Sequence, residues 1–145
     1  KENNMKFFKL TLISLVVSLI SLSALAHDPK GESFTLSGKV TSVELTDEGG
    51  VITVSAEAGR YGKVFLTYNV KLNSALPNQG YFSGRGIGID DDGNRESASR
   101  QGIFRREGSI MNFYSLDEVS DGRFNYCETA INLRTDSVEM TFYPF

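Results

Sequence analysis

Lys63-Val64-Phe65-Leu66-Thr67-Tyr68-Asn69-Val70-Lys71-Leu72 decides the fold. Val64, Leu66, Tyr68, Val70 and Leu72 alternate with Lys63, Thr67, Asn69 and Lys71, and only Phe65 breaks the polar series. A period of two places one set of side chains on each face of a sheet, so the segment predicts a strand with one buried face. The same period recurs on both sides of it. Upstream, Ile52, Val54, Ala56 and Ala58 alternate with Thr53, Ser55 and Glu57. Downstream, Val138, Met140 and Phe142 alternate with Ser137, Glu139 and Thr141. Phe34, Leu36, Gly38 and Val40 begin a further run, after which Val43 and Leu45 fall on the other parity. One extra residue at Thr41 or Ser42 restores the register and predicts a β-bulge there.

Turn chemistry separates the runs. Asp47-Glu48-Gly49-Gly50, Leu76-Pro77-Asn78-Gln79-Gly80, Asp91-Asp92-Gly93-Asn94, Arg106-Glu107-Gly108 and Ser120-Asp121-Gly122 supply the backbone freedom and side-chain caps of tight connections. No stretch from residue 27 onward sustains a helical period. About eight strands follow, near residues 34–45, 50–58, 61–73, 80–90, 95–106, 109–118, 122–134 and 136–143. Short links between neighbours make an antiparallel meander, and closing the sheet removes the two open edges that a flat meander leaves to aggregation. The fold class is therefore all-β, an eight-stranded up-and-down barrel, with a two-sheet sandwich as the alternative. Eight strands enclose a space that side chains fill or that holds one small ligand.

The 145 residues split before this domain begins. Met5 is followed by Lys6 and Lys9, then by an apolar run from Leu10 to Leu25 that ends in Ala24-Leu25-Ala26. That layout is a secretory signal peptide with cleavage expected between Ala26 and His27. The run is shorter than the ~20 residues that span a bilayer. Residues 1–26 are thus expected to be leader, with no stable membrane anchor after cleavage, and residues 27–145 a single secreted or periplasmic domain. The leader holds three Lys and one Glu, which leaves 12 basic and 17 acidic residues and a net charge of −5. That sign opposes nucleic-acid binding, which depends on neutralising phosphates. One Cys and one His exclude an internal disulfide, a four-ligand Cys/His zinc site and a catalytic triad built around a histidine inside the fold. Cys127 reads as a buried small hydrophobe.

Two segments share a glycine–aromatic–arginine texture: Gly80-Tyr81-Phe82-Ser83-Gly84-Arg85-Gly86-Ile87-Gly88 and Gly102-Ile103-Phe104-Arg105-Arg106-Glu107-Gly108. An exported meander barrel of this size resembles the calycin-type group, which includes lipocalins, avidins and allene-oxide-cyclase-like barrels. The resemblance is one of architecture over residues 27–145. The chain has no Trp, so the Gly-x-Trp signature of lipocalins and the Trp walls of avidins are absent, and no site residue is carried over.

Candidate site residues come from the pattern alone. Gly84, Gly86 and Gly88 share a strand face with Phe82, where absent side chains either line a cavity or let the strand coil as the barrel closes. Arg85 shares its parity with Tyr81, Ile87 and Ile89, and Arg105 with Ile103. Pointing inward, these arginines would mark an acidic ligand; pointing outward, they pair with surface carboxylates. Tyr68 joins Arg85, Arg105, Phe82, Gly84 and Gly86 as the candidate ligand-binding set. Asp90, Asp91 and Asp92 with Gly93, Asn94 and Glu96 have the wrong spacing for a calcium loop and read as a hairpin turn. An amino-terminal His27 lacks the second histidine of an oxidative copper site. Tyr68, Tyr114, Asp117, Tyr126 and Glu128 could serve as acid or base, but their spacing singles out no pair. No metal or cofactor is expected. The functional expectation is a barrel whose interior binds a small, partly apolar ligand, acidic if an arginine points in. A cofactor-free isomerase or cyclase in the same cavity and a filled structural barrel are the alternatives.

Overall fold

The computed structural model of the chain describes residues 32–144. The expected signal peptide, its cleavage point, His27 and Phe145 lie outside them. Eight strands follow one another: β1 (Phe34–Thr46), β2 (Gly49–Glu57), β3 (Lys63–Leu72), β4 (Gln79–Ile89), β5 (Arg95–Glu107), β6 (Ile110–Val119), β7 (Phe124–Asn132) and β8 (Ser137–Pro144). A single 3-10 turn, Gly59–Tyr61, sits between β2 and β3. Each strand pairs antiparallel with the next, and β1 pairs with β8 through Leu36↔Met140 and Gly38↔Val138. The sheet is a closed up-and-down barrel, and the sandwich alternative falls.

Closure gives every strand a partner on both sides, which is why no edge needs protection. The expected bulge lies between Val40 and Ser42. Beyond it Val43 stands opposite Ile52 and Leu45 opposite Gly50, so both keep the inward parity. Both are nevertheless exposed, lining an open depression with Ile52, Val70, Leu72 and Met111.

The barrel has two ends. The chain enters at Phe34 and leaves at Pro144 on one of them, called here the terminal end; the β1–β2, β3–β4, β5–β6 and β7–β8 connections lie at the other, the far end. Toward the far end the interior is filled by rings. Tyr68 lies 4.6 Å from Phe113 and 5.2 Å from Phe82 between centroids, Phe82 meets Phe113 edge-on at 5.1 Å, and Phe104 stands 5.6 Å from Phe113. Offset and edge-on pairs of this kind add about 0.5–1.5 kcal/mol each beyond the area they bury.

The glycines of β4 and β5 explain how such large groups fit. Across this strand pair the inward rows are Gly80↔Phe104, Phe82↔Gly102, Gly84↔Arg100 and Gly86↔Ala98. Every large inward side chain stands beside a glycine on the neighbouring strand. At Gly84 the backbone comes so close to β3 that a Cβ would sit 1.9 Å from the Thr67 carbonyl oxygen. Between Leu66↔Gly86 and Asn69↔Ser83 the β3–β4 backbone ladder is interrupted, and the Arg85 N–H donates to Thr67 Oγ1 at 3.0 Å instead. Gly84 is thus a point where the sheet coils sharply, as glycine permits.

Candidate functional site

The row Gly86↔Ala98 contains no large side chain, and that is where the interior opens. A cavity of ≈ 80 Å³ lies toward the terminal end, walled by Leu66, Ala98, Val119, Met140 and Phe142 and by the bare backbone of Gly86 and Gly88. It has room for on the order of half a dozen waters or one ring-sized organic group. Its polar wall is Glu96, Ser97, Asp117 and Asn125, with the Cys127 thiol. A second depression of ≈ 350 Å³ at the terminal rim shares Leu36, Ala58, Tyr61, Asn125 and Phe142 with it. The two spaces are thus neighbours at the terminal end.

Tyr61 belongs to the wall of both spaces. The 3-10 turn carries it over the mouth, where its hydroxyl donates to Asp121 Oδ2 at 3.1 Å. Arg60 bonds both the Tyr61 hydroxyl, at 2.6 Å, and Asp121. A three-residue latch therefore joins the β2–β3 connection to the β6–β7 turn across the terminal end. Burial by itself opposes ionisation of Asp121. The Arg123 N–H, the Tyr61 hydroxyl and the two arginines outweigh it and hold the carboxyl below its ordinary pKa.

Arg100 and Asp117 face each other from β5 and β6 on the inward side. Arg100 is 2% exposed, which for arginine is exceptional. Its Nε donates to Asp117 Oδ2 at 2.7 Å, and its Cζ lies 4.7 Å from the centre of the Tyr68 ring. Asp117 also accepts from the Ser115 hydroxyl at 2.8 Å and the Cys127 thiol at 3.4 Å. Tyr68 in turn donates to Thr129 Oγ1 at 3.3 Å. Burial alone would favour neutral Arg100, but Tyr68, Asp117 and Cys127 more than offset it and hold the guanidinium above its ordinary pKa. Burial, followed by the Asp117 charge, pushes the Cys127 thiol well up, so it stays a neutral donor. The pairing is incomplete: Arg100 Nη1 and Nη2 are buried with no hydrogen-bond partner among the described residues. An unpaired buried donor costs about 1–3 kcal/mol, and more when charged, so this defect asks for an explanation.

The candidate residues separate sharply in space. Arg85 and Arg105 are exposed on the outer face, so neither is the inward arginine that an acidic ligand was to mark. Period two makes the reason plain, since Gly84, Gly86 and Phe104 occupy the inward parity of the same strands. Arg105 borders an outer groove with Tyr81, Ile103 and Tyr114. Tyr68, Phe82, Gly84 and Gly86 all face inward, in different roles. Gly86 lines the cavity. Tyr68 lies under Arg100. Phe82 belongs to the ring cluster, and Gly84 is the coiling point.

Of the acid–base candidates, Tyr68 and Asp117 both reach Arg100 in the interior, whereas Tyr114, Tyr126 and Glu128 lie on the outside. Tyr126 donates to Glu128 at 3.2 Å, and burial together with the Glu128 charge pushes its phenol up to about 12. Asp90 uses its carboxylate inside the hairpin turn, accepting from the Asp92 N–H at 3.0 Å and the Asn94 N–H at 2.8 Å. Among the described residues no group of three or more His, Cys, Asp or Glu is placed to hold a metal ion.

Sequence reasoning passed over Arg100 as a site residue. The signal was present: Arg100 has the parity of Ala98, Gly102 and Phe104, all inward, and it pairs with Asp117 two positions from Ser115 and Val119. Compared with protein-family models, with curated proteins and with solved structures, the chain gives no significant match.

Proposed function

We propose that the protein is an exported barrel that binds a small, partly apolar molecule in the terminal half of its interior. The observation that carries this reading is the cavity beside Gly86 and Ala98, which shares wall residues with the depression at the rim. Apolar side chains supply most of its lining, and a few polar groups stand at fixed positions, the usual composition of a small-molecule site. The far half, packed with rings, gives the floor that keeps the site rigid. The likeness to calycin-type carriers supports the reading at the level of architecture. Export to a secreted or periplasmic location and the absence of a nucleic-acid partner belong to the same proposal, from the leader pattern and the acidic charge.

Native mass spectrometry of the protein purified from its own exported fraction tests it. The expected result is a retained small organic molecule in the wild type and none in Ala98→Leu, whose larger side chain fills the cavity. A wild-type spectrum without adduct, or an adduct that Ala98→Leu retains in full, overturns it.

A second reading is a cofactor-free isomerase or cyclase in the same cavity. The buried Arg100–Asp117 pair beside Tyr68 favours it, because fixed charges in a dry interior polarise a bound group strongly. Conversion of the retained molecule on incubation would separate it from simple carriage.

A further inference from the structure

Two polar side chains in the cavity wall are more than nine-tenths buried, Asp117 and Asn125. They stand opposite each other on β6 and β7. Asp117 takes three donors: Arg100 Nε at 2.7 Å, the Ser115 hydroxyl at 2.8 Å and the Cys127 thiol at 3.4 Å. Asn125 is 7% exposed, and its side-chain amide has no hydrogen-bond partner among the described residues. In that set, the only side-chain N or O atoms both sealed from solvent and unpaired are Nη1 and Nη2 of Arg100. The Asn125 amide is therefore not sealed, and it opens onto the space that it lines. Asn125 belongs to the wall of both the cavity and the depression at the rim.

Buried polar groups are normally paired, so an open amide in a mostly apolar wall marks the place of a ligand. The other polar groups of the wall are engaged. The Tyr61 hydroxyl serves Arg60 and Asp121, Glu96 accepts from the Ser120 hydroxyl, and the Ser97 N–H donates to Ser120 Oγ at 2.9 Å. Charge then narrows the ligand. An anionic head at Asn125 would stand beside Asp117, a like charge in a site of low dielectric. A cationic head would find no free anion there, because Asp117 is already spent on Arg100. Both considerations favour an uncharged head. An asparagine amide offers acceptor and donor side by side, and its complement is a group that offers donor and acceptor in the same way.

We infer that the cavity takes an uncharged carboxamide on a small apolar body, its C=O accepting from Asn125 Nδ2 and its N–H donating to Oδ1. The apolar body lies between Leu66, Ala98 and Met140. This inference rests on the ligand-binding reading above and names the ligand class for that cavity.

Four probes of one shape test it on the exported protein: benzamide, acetophenone, benzoate and benzamidinium. Titration calorimetry is expected to show benzamide binding about tenfold tighter than acetophenone, which lacks the donor, and both ions binding more weakly than benzamide. Ala98→Leu is expected to abolish benzamide binding. Asn125→Leu is expected to keep acetophenone binding, which also reports its folding, and to lose the preference for benzamide. In the wild type, the side-chain ¹⁵N–¹H resonances of Asn125 are expected to move on addition of benzamide and to show a nuclear Overhauser contact to its ring, a readout that needs no variant.

Tighter binding of either ion, a preference for benzamide that survives in Asn125→Leu, or unmoved Asn125 resonances overturns the inference. Equal binding of benzamide and acetophenone means that Asn125 holds water only, which overturns the carboxamide claim and leaves the cavity reading standing. Benzamide binding undiminished in Ala98→Leu overturns the placement in the cavity. Failure of all four probes to bind overturns both readings.

Discussion

The two halves of the barrel interior are built from the same eight strands and differ in what each strand sends inward. Toward the far end β4 contributes Phe82, β5 Phe104, β6 Met111 and Phe113, and β7 Ile131. Toward the terminal end the same strands contribute Gly86 and Gly88, Ala98, Ser115 and Asp117, and Cys127 and Asn125. One half is therefore filled by rings beneath an open mouth of ≈ 150 Å³ lined by Val43, Leu45, Ile52, Val70 and Met111, and the other is left with small and polar groups around a space. A barrel of eight strands has a nearly fixed width, so the volume of the inward side chains alone decides whether a given level is solid or hollow. The comparison teaches that floor and cavity are one design: a solid half fixes the backbone, and a hollow half uses that rigidity.

The largest expected effect comes from opening the solid half. Phe113 touches Tyr68, Phe82 and Phe104, so Phe113→Ala removes the shared partner of three rings. A loss of about 3–5 kcal/mol is expected from lost transfer energy and the residual cavity, measured by urea denaturation. A smaller loss, comparable to a truncation in the hollow half, would mean that the two halves are not different in packing after all. Next comes the charged pair at the boundary. Asp117→Leu leaves the Arg100 guanidinium buried and unpaired, and about 3 kcal/mol is expected to be lost. Arg100→Met in the same chain should restore most of it, since a buried ion pair replaced by apolar groups of similar volume is often neutral. A double-mutant cycle gives the coupling directly. Additive losses would show that the pair is not a unit.

Most of this architecture was legible in the sequence, and the exception is instructive. Val64, Leu66, Tyr68 and Val70 gave both the strand and its buried face, and the parity change between Val40 and Val43 located the bulge, because a two-residue period is a local property of the chain. Strand order followed from short turns for the same reason. The site is different in kind. Phe82 opposite Gly102, Arg100 opposite Gly84 and Gly86 opposite Ala98 are statements about neighbouring strands, so they appear only when register is known. Arg85 and Arg105 drew attention because they share the parity of apolar residues, Arg85 with Tyr81, Ile87 and Ile89 and Arg105 with Ile103, yet that parity faces outward, where Tyr81, Ile89 and Ile103 stand exposed. Arg100 lies between Ser99 and Gln101, in a polar stretch that reads as solvent-facing. Its parity with Ala98 and Phe104 marks the inward face, but burial of a charge there depends on a partner 17 residues away, Asp117, and that pairing is not local.

Two glycines on β4 sharpen the comparison at lower energy. Both face inward, and they differ in what lies above them. An alanine Cβ at 84 would meet the Thr67 carbonyl oxygen at 1.9 Å, a backbone atom that cannot move without shifting β3. Gly84→Ala is therefore expected to cost about 1–3 kcal/mol as overpacking. At 86 the nearest atoms are Leu66 Cδ2 at 3.0 Å and Ala98 Cβ at 3.4 Å, and Leu66 can rotate away into the cavity. Gly86→Ala is expected to be neutral or to gain about 0.5–1 kcal/mol, as replacing a strand glycine does where space exists. Thermal unfolding of the two variants side by side checks the sign. If Gly86→Ala is as harmful as Gly84→Ala, the space beside Ala98 is not available to a ligand either.

The smallest effect belongs to the latch over the hollow half. Asp121 has its pKa lowered in the folded state, because the Arg123 N–H, the Tyr61 hydroxyl and the arginines outweigh the opposing effect of burial. In the unfolded chain it titrates near 4. A carboxyl with a depressed folded pKa contributes stability that is fully present above the unfolded value and is lost as pH falls through the folded one. Stability of the wild type should thus decline below about pH 4 more steeply than that of Asp121→Asn, with the two curves differing by a constant amount at neutral pH. The latch groups are partly open to solvent, so that amount is expected to stay below about 1 kcal/mol. The decisive comparison is with Phe113→Ala, which removes no charge at the latch and should lower the whole pH curve without changing its shape. An acid limb that flattened in Phe113→Ala rather than in Asp121→Asn would place the titrating group in the solid half and remove the latch from the account of how the terminal end is held.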